Sequence, residues 1–369
     1  MNNNSYPEEY EIKEVCSNFI KRRILNAFMQ ERGVFAINAN AEDIGEILSH
    51  CVLERTSIEE LRANAYQLST KSSLSGFVMR SSSTLFSLND IYEKARDNNR
   101  ALLSKGYKLG KLVVENRDGV STYKGRLDYE IRKPGRIQFM EKEQSHCDFF
   151  MFENKKGEWQ VEVDCTRSAD GKEVQKLFSQ FVDKETTTIS SLNIDNLDDK
   201  QTIEFFDALI DHGMTDDWRF EDVIALTFRR GRESEDEEEN VDDGSIQETK
   251  NTTILSGIRQ AILEGGGLRE DAFVKQFEEN GCIFTAMTFE FSHKTVPEVI
   301  HIRAEFKGSP KVFEVSIVDF FETTGPNAKR EVSSLSLKKN LEIRSTFWNQ
   351  ARRIFAEVVS EKSDNRVCR

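Results

Sequence analysis

Cys147-Asp-Phe-Phe-Met-Phe-Glu153 and Glu158-Trp-Gln-Val-Glu-Val-Asp-Cys165, separated by Asn154-Lys-Lys-Gly157, decide how this chain is read. Apolar and polar residues alternate on both sides of a glycine-ended turn, which predicts an antiparallel hairpin. Successive strand side chains point to opposite faces, so Glu162 and Asp164 share one face and Trp159, Val161 and Val163 the other. A third carboxylate, Asp148, opens the neighbouring strand.

Working outward, Val174, Leu177, Phe178 and Phe181 recur at helical spacing and predict a helix over 171–183. Upstream, Lys108–Glu115 and Thr122–Arg132 read as paired strands around Asn116-Arg-Asp-Gly119, and Asp90–Lys105 as a helix. The Ser- and Thr-rich stretch 69–89 reads as a linker. Before it, the periodicity predicts one helix from Ile12 to about Gln30, closed by Gly33. A second helix is capped by Asn40, and a third begins at Ser57 with Glu60 completing a capping box. Downstream come a helix over Asp198–Gly213, a strand over Glu221–Arg229, helices at about 251–264 and 269–280, and strands at 282–292, 298–307 and 311–321. A long amphipathic helix over about 333–360 closes the chain.

The fold class is therefore α+β: a small N-terminal helical module, a central antiparallel or mixed sheet with helices, and a C-terminal three-stranded meander covered by a long helix. The expected domains are 1–68, a linker 69–89, an α+β domain 90–230, an acidic flexible loop 231–250, and a second α+β domain 251–369.

Composition bounds the function classes. Of 369 residues, 38% are hydrophobic and 31% charged, with 26 Phe and 5 Pro, which excludes a collagen-like or mostly disordered chain. No run of 18 or more apolar residues occurs, so no membrane partner is expected. Met1–Glu14 is polar and acidic and lacks signal-peptide features. The 6 Cys contain no C-x-x-C pair, so they read as reduced thiols of a cytoplasmic protein, with structural zinc not expected. Net charge is −13, and eight of those negative charges lie in one run from Glu233 to Asp243; without them the rest carries −5. A broad electrostatic grip on nucleic acid is disfavoured, while a local basic face is not.

Two stretches carry family resemblances. From Phe19 to Leu53 the chain reads helix, glycine, extended link, helix, with Lys21, Arg22, Arg23 and Arg32 as cations and Glu31, Glu42, Asp43 and Glu46 close by. This resembles the helix–extension–helix modules of the SAP type. The resemblance implies DNA or RNA contact through those four cations, and the neighbouring acids depart from it. Residues 90–183 resemble a degenerate PD-(D/E)xK nuclease core. There, Asp148 and Glu162 match the acids that hold Mg²⁺ on adjacent strands, and Glu93 matches an acid on the preceding helix. Position 164 is Asp where the motif has Lys, so Lys172 or Lys176 on the following helix would have to replace it.

Other candidates are bland. Glu305 and Lys307, with Asp319 on the next strand, read as solvent-facing charges of a one-sided sheet. On the last helix Lys338, Lys339, Arg352 and Arg353 form a basic edge suited to nucleic acid or an acidic partner. Two functions follow as expectations. One is a non-catalytic nucleic-acid-associated or protein-interaction subunit of an intracellular complex, in host (antiviral) defence or a mobile element, with no cofactor. The alternative is an Mg²⁺-dependent nuclease with Asp148, Glu162, Asp164 and Lys172 as its catalytic set and Asp148 and Glu162 as metal ligands.

Overall fold

The structure is a computed structural model. It describes residues 6–20, 22–35, 39–69, 72–83, 88–97, 106–117, 119–132, 142–167, 169–230, 260–308, 311–322, 331–333 and 335–367. Four helices come first: α1 Glu9–Phe19, α2 Arg22–Glu31, α3 Ala41–Ser49 and α4 Arg55–Ser69. Then follow β1 Ser73–Ser81, α5 Leu88–Asp97, β2 Tyr107–Leu109, β3 Val113–Arg117, β4 Val120–Arg132, β5 Lys142–Lys155, β6 Glu158–Cys165 and α6 Asp170–Phe181. The chain continues with β7 Thr187–Ser191, α7 Asp199–His212, β8 Trp218–Arg230, β9 Gln260–Glu264 and α8 Ala272–Glu279. It ends with β10 Cys282–His293, β11 Glu298–Lys307, β12 Val312–Glu322, β13 Glu331–Val332 and α9 Leu337–Val367. This is an α+β fold with a C-terminal antiparallel meander, β10-β11-β12, and a long final helix. Among the described residues, no helix is long and apolar enough to cross a membrane.

Two compact units divide the chain. One comprises Met1–Lys71, Arg96–Lys111 and Arg126–Cys147; the other Ser72–Ala95, Leu112–Gly125 and Asp148–Arg369. In the first, Ile12, Val15, Cys16, Leu25, Phe28, Ile44, Leu48 and Leu61 form an apolar core. Gly45 lets α3 approach α1: a Cβ there would lie 3.0 Å from the Lys13 carbonyl oxygen. The single helix expected over 12–30 is instead two, because Ile20 is extended (φ −124°, ψ 131°) while its side chain stays buried. Asn40 caps α3 as expected, accepting from the Asp43 N–H at 2.9 Å while Asp43 accepts from the Asn40 N–H. Ser57 does not start α4, which begins at Arg55.

In the second unit the strand order is β4-β5-β6-β1-β12-β11-β10-β8-β9, with β3 on β4, β7 on β1 and β13 on β12. Three expectations fail here. The serine-rich stretch is no linker: β1 lies in the middle of the sheet, paired with β6 from Ser73↔Cys165 to Arg80↔Glu158 and with β12 through Leu74↔Val315. Nor are 90–230 and 251–369 separate domains, because β8 leaves its sequence neighbours and pairs with β10. The acidic run 231–250 and residues 251–259 lie outside the described residues, and 260–264, expected as helix, pairs with β8 as strand β9.

The small residues of β1 are required by what packs on it. Phe77 meets Phe178 of α6, and the Ser75 side chain lies 3.2 Å from where a Cβ on Gly171 would sit. On the opposite face the indole of Trp348, fully buried on α9, lies against Gly76. The main core is aromatic: Phe205 of α7 touches Phe206, Phe306, Phe313 and Phe355 at centroid distances of 5.3–5.8 Å. Gln201 donates to the Val358 carbonyl at 2.8 Å and ties α7 to α9.

A Cβ at Gly76 would lie 2.6 Å from the Val161 carbonyl oxygen and 2.8 Å from the Trp348 ring. Gly76→Ala should therefore lower unfolding free energy by about 1–3 kcal/mol in urea denaturation. An unchanged midpoint would contradict this packing.

Candidate functional site

Glu162 and Asp164 share a face as expected, and the register brings Asp148 of β5 to the same face. Asp148 is directly opposite Asp164, and Phe150 opposite Glu162, so the side chains of each pair leave the sheet on the same side. Like charges directly opposite repel. Each therefore has its own cation: Lys124 Nζ lies 3.2 Å from Asp148, and the Arg344 guanidinium donates to Asp164 at 2.8 Å.

Glu162 is fully buried, and side-chain donors match its lone pairs. Ser345 Oγ lies 2.8 and 2.9 Å from its two oxygens. Gln160 Nε2 donates at 2.9 Å, Asn349 Nδ2 at 3.1 Å, and Arg117 approaches at 3.5 Å. The donors are themselves satisfied: Gln160 Nε2 also donates to Asn349 Oδ1 at 2.6 Å, and Asn154 Nδ2 donates to Gln160 Oε1 at 2.9 Å. At the strand's start, Glu158 faces Arg80 at 3.0 Å and Arg352 at 3.5 Å. Burial works against ionisation of Glu158, but the two guanidiniums and Lys155 outweigh it and hold the carboxyl below its ordinary value. Thus α9 presents Arg344, Ser345, Asn349 and Arg352, which lie on neighbouring turns of one helix stripe, to the polar face of β6. The spacing Ser345-x-x-x-Asn349 was the available signal; read with the apolar stripe alone, it passes for solvent-facing polarity.

The remaining members of the expected catalytic set are elsewhere. Glu93 is on α5, whose Tyr92 packs against Phe149, on the other face of β5. Lys172 is on α6, whose Phe178 packs on Phe77 and Phe149, again the opposite face. Sheet alternation thus separates Lys172 and Glu93 from Glu162. Burial, then Lys176, lowers the Lys172 ammonium from its ordinary value, with Glu314 acting the other way. Mg²⁺ keeps several waters and takes open carboxylate oxygens. The Glu162 oxygens, covered by α9 and already accepting from side chains, do not fit that ion. Among the described residues, no group of three His, Cys, Asp or Glu is placed to hold a metal.

The cations expected to meet nucleic acid are mostly engaged within the protein. Lys338 lies 3.6 Å from Glu342, Lys339 2.5 Å from Glu298, and Arg353 3.9 Å from Glu357. Arg32 donates to Ser57 Oγ, Glu60 and the Phe28 carbonyl, and stacks 3.6 Å above the Phe28 ring. Arg22 is exposed; Lys21 and the Arg23 side chain lie outside the described residues. Glu305 pairs with Arg303 and Lys307, as solvent-side charges do, whereas Asp319 lies 3.3 Å from His301, which also meets Glu290 at 2.9 Å.

One further carboxylate was missed. Glu314 on β12 is 3% exposed and accepts from Ser73 Oγ at 2.9 Å. Burial raises its pKa; Ser73 and Lys307 oppose the rise, and Glu305 and Asp170 add to it. Asp170, also buried, is saturated by the Thr166 and Arg167 N–H groups and the Arg167 guanidinium.

No family model and no curated protein matches the chain. Among solved structures it is similar to DynU16, a protein of the dynemicin biosynthetic locus, at 10% identity over 77% of this chain and 98% of that one. The TM-score is 0.21, so the likeness carries no argument.

Glu314 gives a pH signature. Its folded pKa lies above the ordinary 4.5, so its contribution to stability is complete below that value and is lost as pH rises through the folded pKa. Glu314→Gln should be more stable than wild type near neutral pH, with the gap closing on acidification toward 4.5 in urea denaturation. A gap independent of pH would contradict this assignment.

Proposed function

We propose that the chain is a non-catalytic subunit that works by binding another protein. The observation that carries this reading is the state of Glu162: a buried carboxylate whose oxygens accept from Ser345, Gln160 and Asn349 under α9. Hydrolysis at a Mg²⁺ centre needs carboxylates open to the ion and to a water. Here the same acids fasten a helix to a sheet. The choice of protein over DNA or RNA follows from charge. A phosphate-binding face needs free cations, and Lys338, Lys339, Arg352, Arg353 and Arg32 each face an acidic side chain, in a chain of net charge −13. Exposed apolar side chains remain on the N-terminal unit, Phe35 and Val52 among them, and surfaces of that kind mark protein contacts.

The test is to incubate the purified full chain with DNA and RNA plus Mg²⁺ or Mn²⁺, beside Asp148→Asn and Glu162→Gln. No cleavage and no salt-sensitive gel shift are expected from any of the three. Metal-dependent cleavage by wild type that is lost in both variants would overturn the reading in favour of a nuclease. A salt-sensitive shift without cleavage would replace the protein partner with a nucleic acid.

A further inference from the structure

The N-terminal unit carries a groove of about 820 Å³ between the start of α1 and the segment that follows α3. Tyr6, Pro7, Tyr10 and Val52 give its apolar lining, and Glu8, Glu9 and His50 line it as well. The two tyrosines are about half exposed and Val52 is 97% exposed. The groove is held in shape: the Leu53 N–H donates to the Tyr6 hydroxyl at 2.8 Å, which pins one aromatic wall to the far side. Tyr6, Tyr10 and Val52 thus form one exposed apolar surface around the groove, and a contiguous exposed apolar patch marks an interaction site.

In the lining, carboxylates outnumber the imidazole of His50; the Glu46 backbone carbonyl, and to a smaller extent Glu9 and Glu46, hold that imidazole above its ordinary value. Glu8, Glu9, Glu11 and Glu14 lie along the first turns of α1, and Lys13, the cation on that helix, is bound to Glu46. Desolvation, then the charges of Glu11, Glu8 and Glu14, push the Tyr10 phenol up from its ordinary value. A polyanion is repelled from such a surface, whereas a guanidinium is attracted twice, by the carboxylates and by the electron-rich ring faces.

We infer that this groove docks an arginine-bearing, aliphatic peptide segment of a partner protein. Guanidinium planes stack on Tyr6 and Tyr10 and pair with Glu8 and Glu9, while neighbouring aliphatic side chains cover Val52 and Pro7. The inference rests on the protein-binding reading above and supplies the chemistry of the partner. Arginine suits the site better than lysine because its flat, weakly hydrated cation lies on a ring and still donates at its edge.

Fluorescence polarisation tests it, using the full chain and a short labelled peptide that alternates arginine and leucine. Controls are the same peptide with every arginine replaced by glutamate, and the variants Tyr10→Ala and Glu9→Gln, whose side chains are exposed enough to leave the core untouched. Binding of the arginine peptide is expected, weakened at least about threefold by Tyr10→Ala. Glu9→Gln and about 300 mM NaCl should weaken it as well, and the glutamate peptide should not bind. An arginine peptide that fails to bind, or that binds wild type and both variants alike, overturns the inference. The two failures are separable: an unbound peptide with no nuclease activity removes the groove assignment alone, whereas cleavage dependent on Glu162 removes the protein-binding reading whatever the peptide does.

Discussion

A carboxylate enclosed between a strand and a helix needs donors from both, and Glu162 imposes that constraint on the second unit. A buried carboxylate is tolerable only when its lone pairs are matched. The match here comes from β6 itself through Gln160, from β3 through Arg117, and from α9 through Ser345 and Asn349. These partners set the rotation of α9 about its axis. That rotation places Trp348 over Gly76 and delivers Phe347 and Ile354 to the aromatic core. Arg344 on Asp164 and Arg352 on Glu158 extend the same seam in both directions.

The hairpin 147–165 was legible because its signals are local: strict alternation and a turn closed by Gly157 at φ 80°. The same holds for the Asn40 cap and for the final helix. What was not legible depends on partners distant in sequence. Ser73, Ser75 and Gly76 look like linker composition, yet a sheet with Gly171 on one face and Trp348 on the other admits only small side chains there. Gln260–Glu264 is too short an apolar run to distinguish helix from strand by period, and pairing with β8 decides it. The break at Ile20 carries no glycine or proline; burial of Ile20 in the helical core sets it.

The candidate site was half legible. Alternation put Glu162 and Asp164 on one face, and the register adds Asp148, directly opposite Asp164. It could not say what covers that face. A nuclease-like strip of acids and a polar helix-docking strip are the same along β6, and differ only in what α9 presents 180 residues later, as Arg344 on Asp164 illustrates. In this protein the strip faces donors, so the acids act as structural acceptors. On the N-terminal unit, by contrast, aromatic and acidic side chains stay exposed.

The most direct measurement is a double-mutant cycle in urea between Glu162→Met and Asn349→Leu. If Glu162 is the acceptor that holds α9 to the sheet, each change alone destabilises strongly, and the pair together costs less than the sum by about 0.5–3 kcal/mol. Strictly additive effects, or a Glu162→Met protein as stable as wild type, would contradict the account.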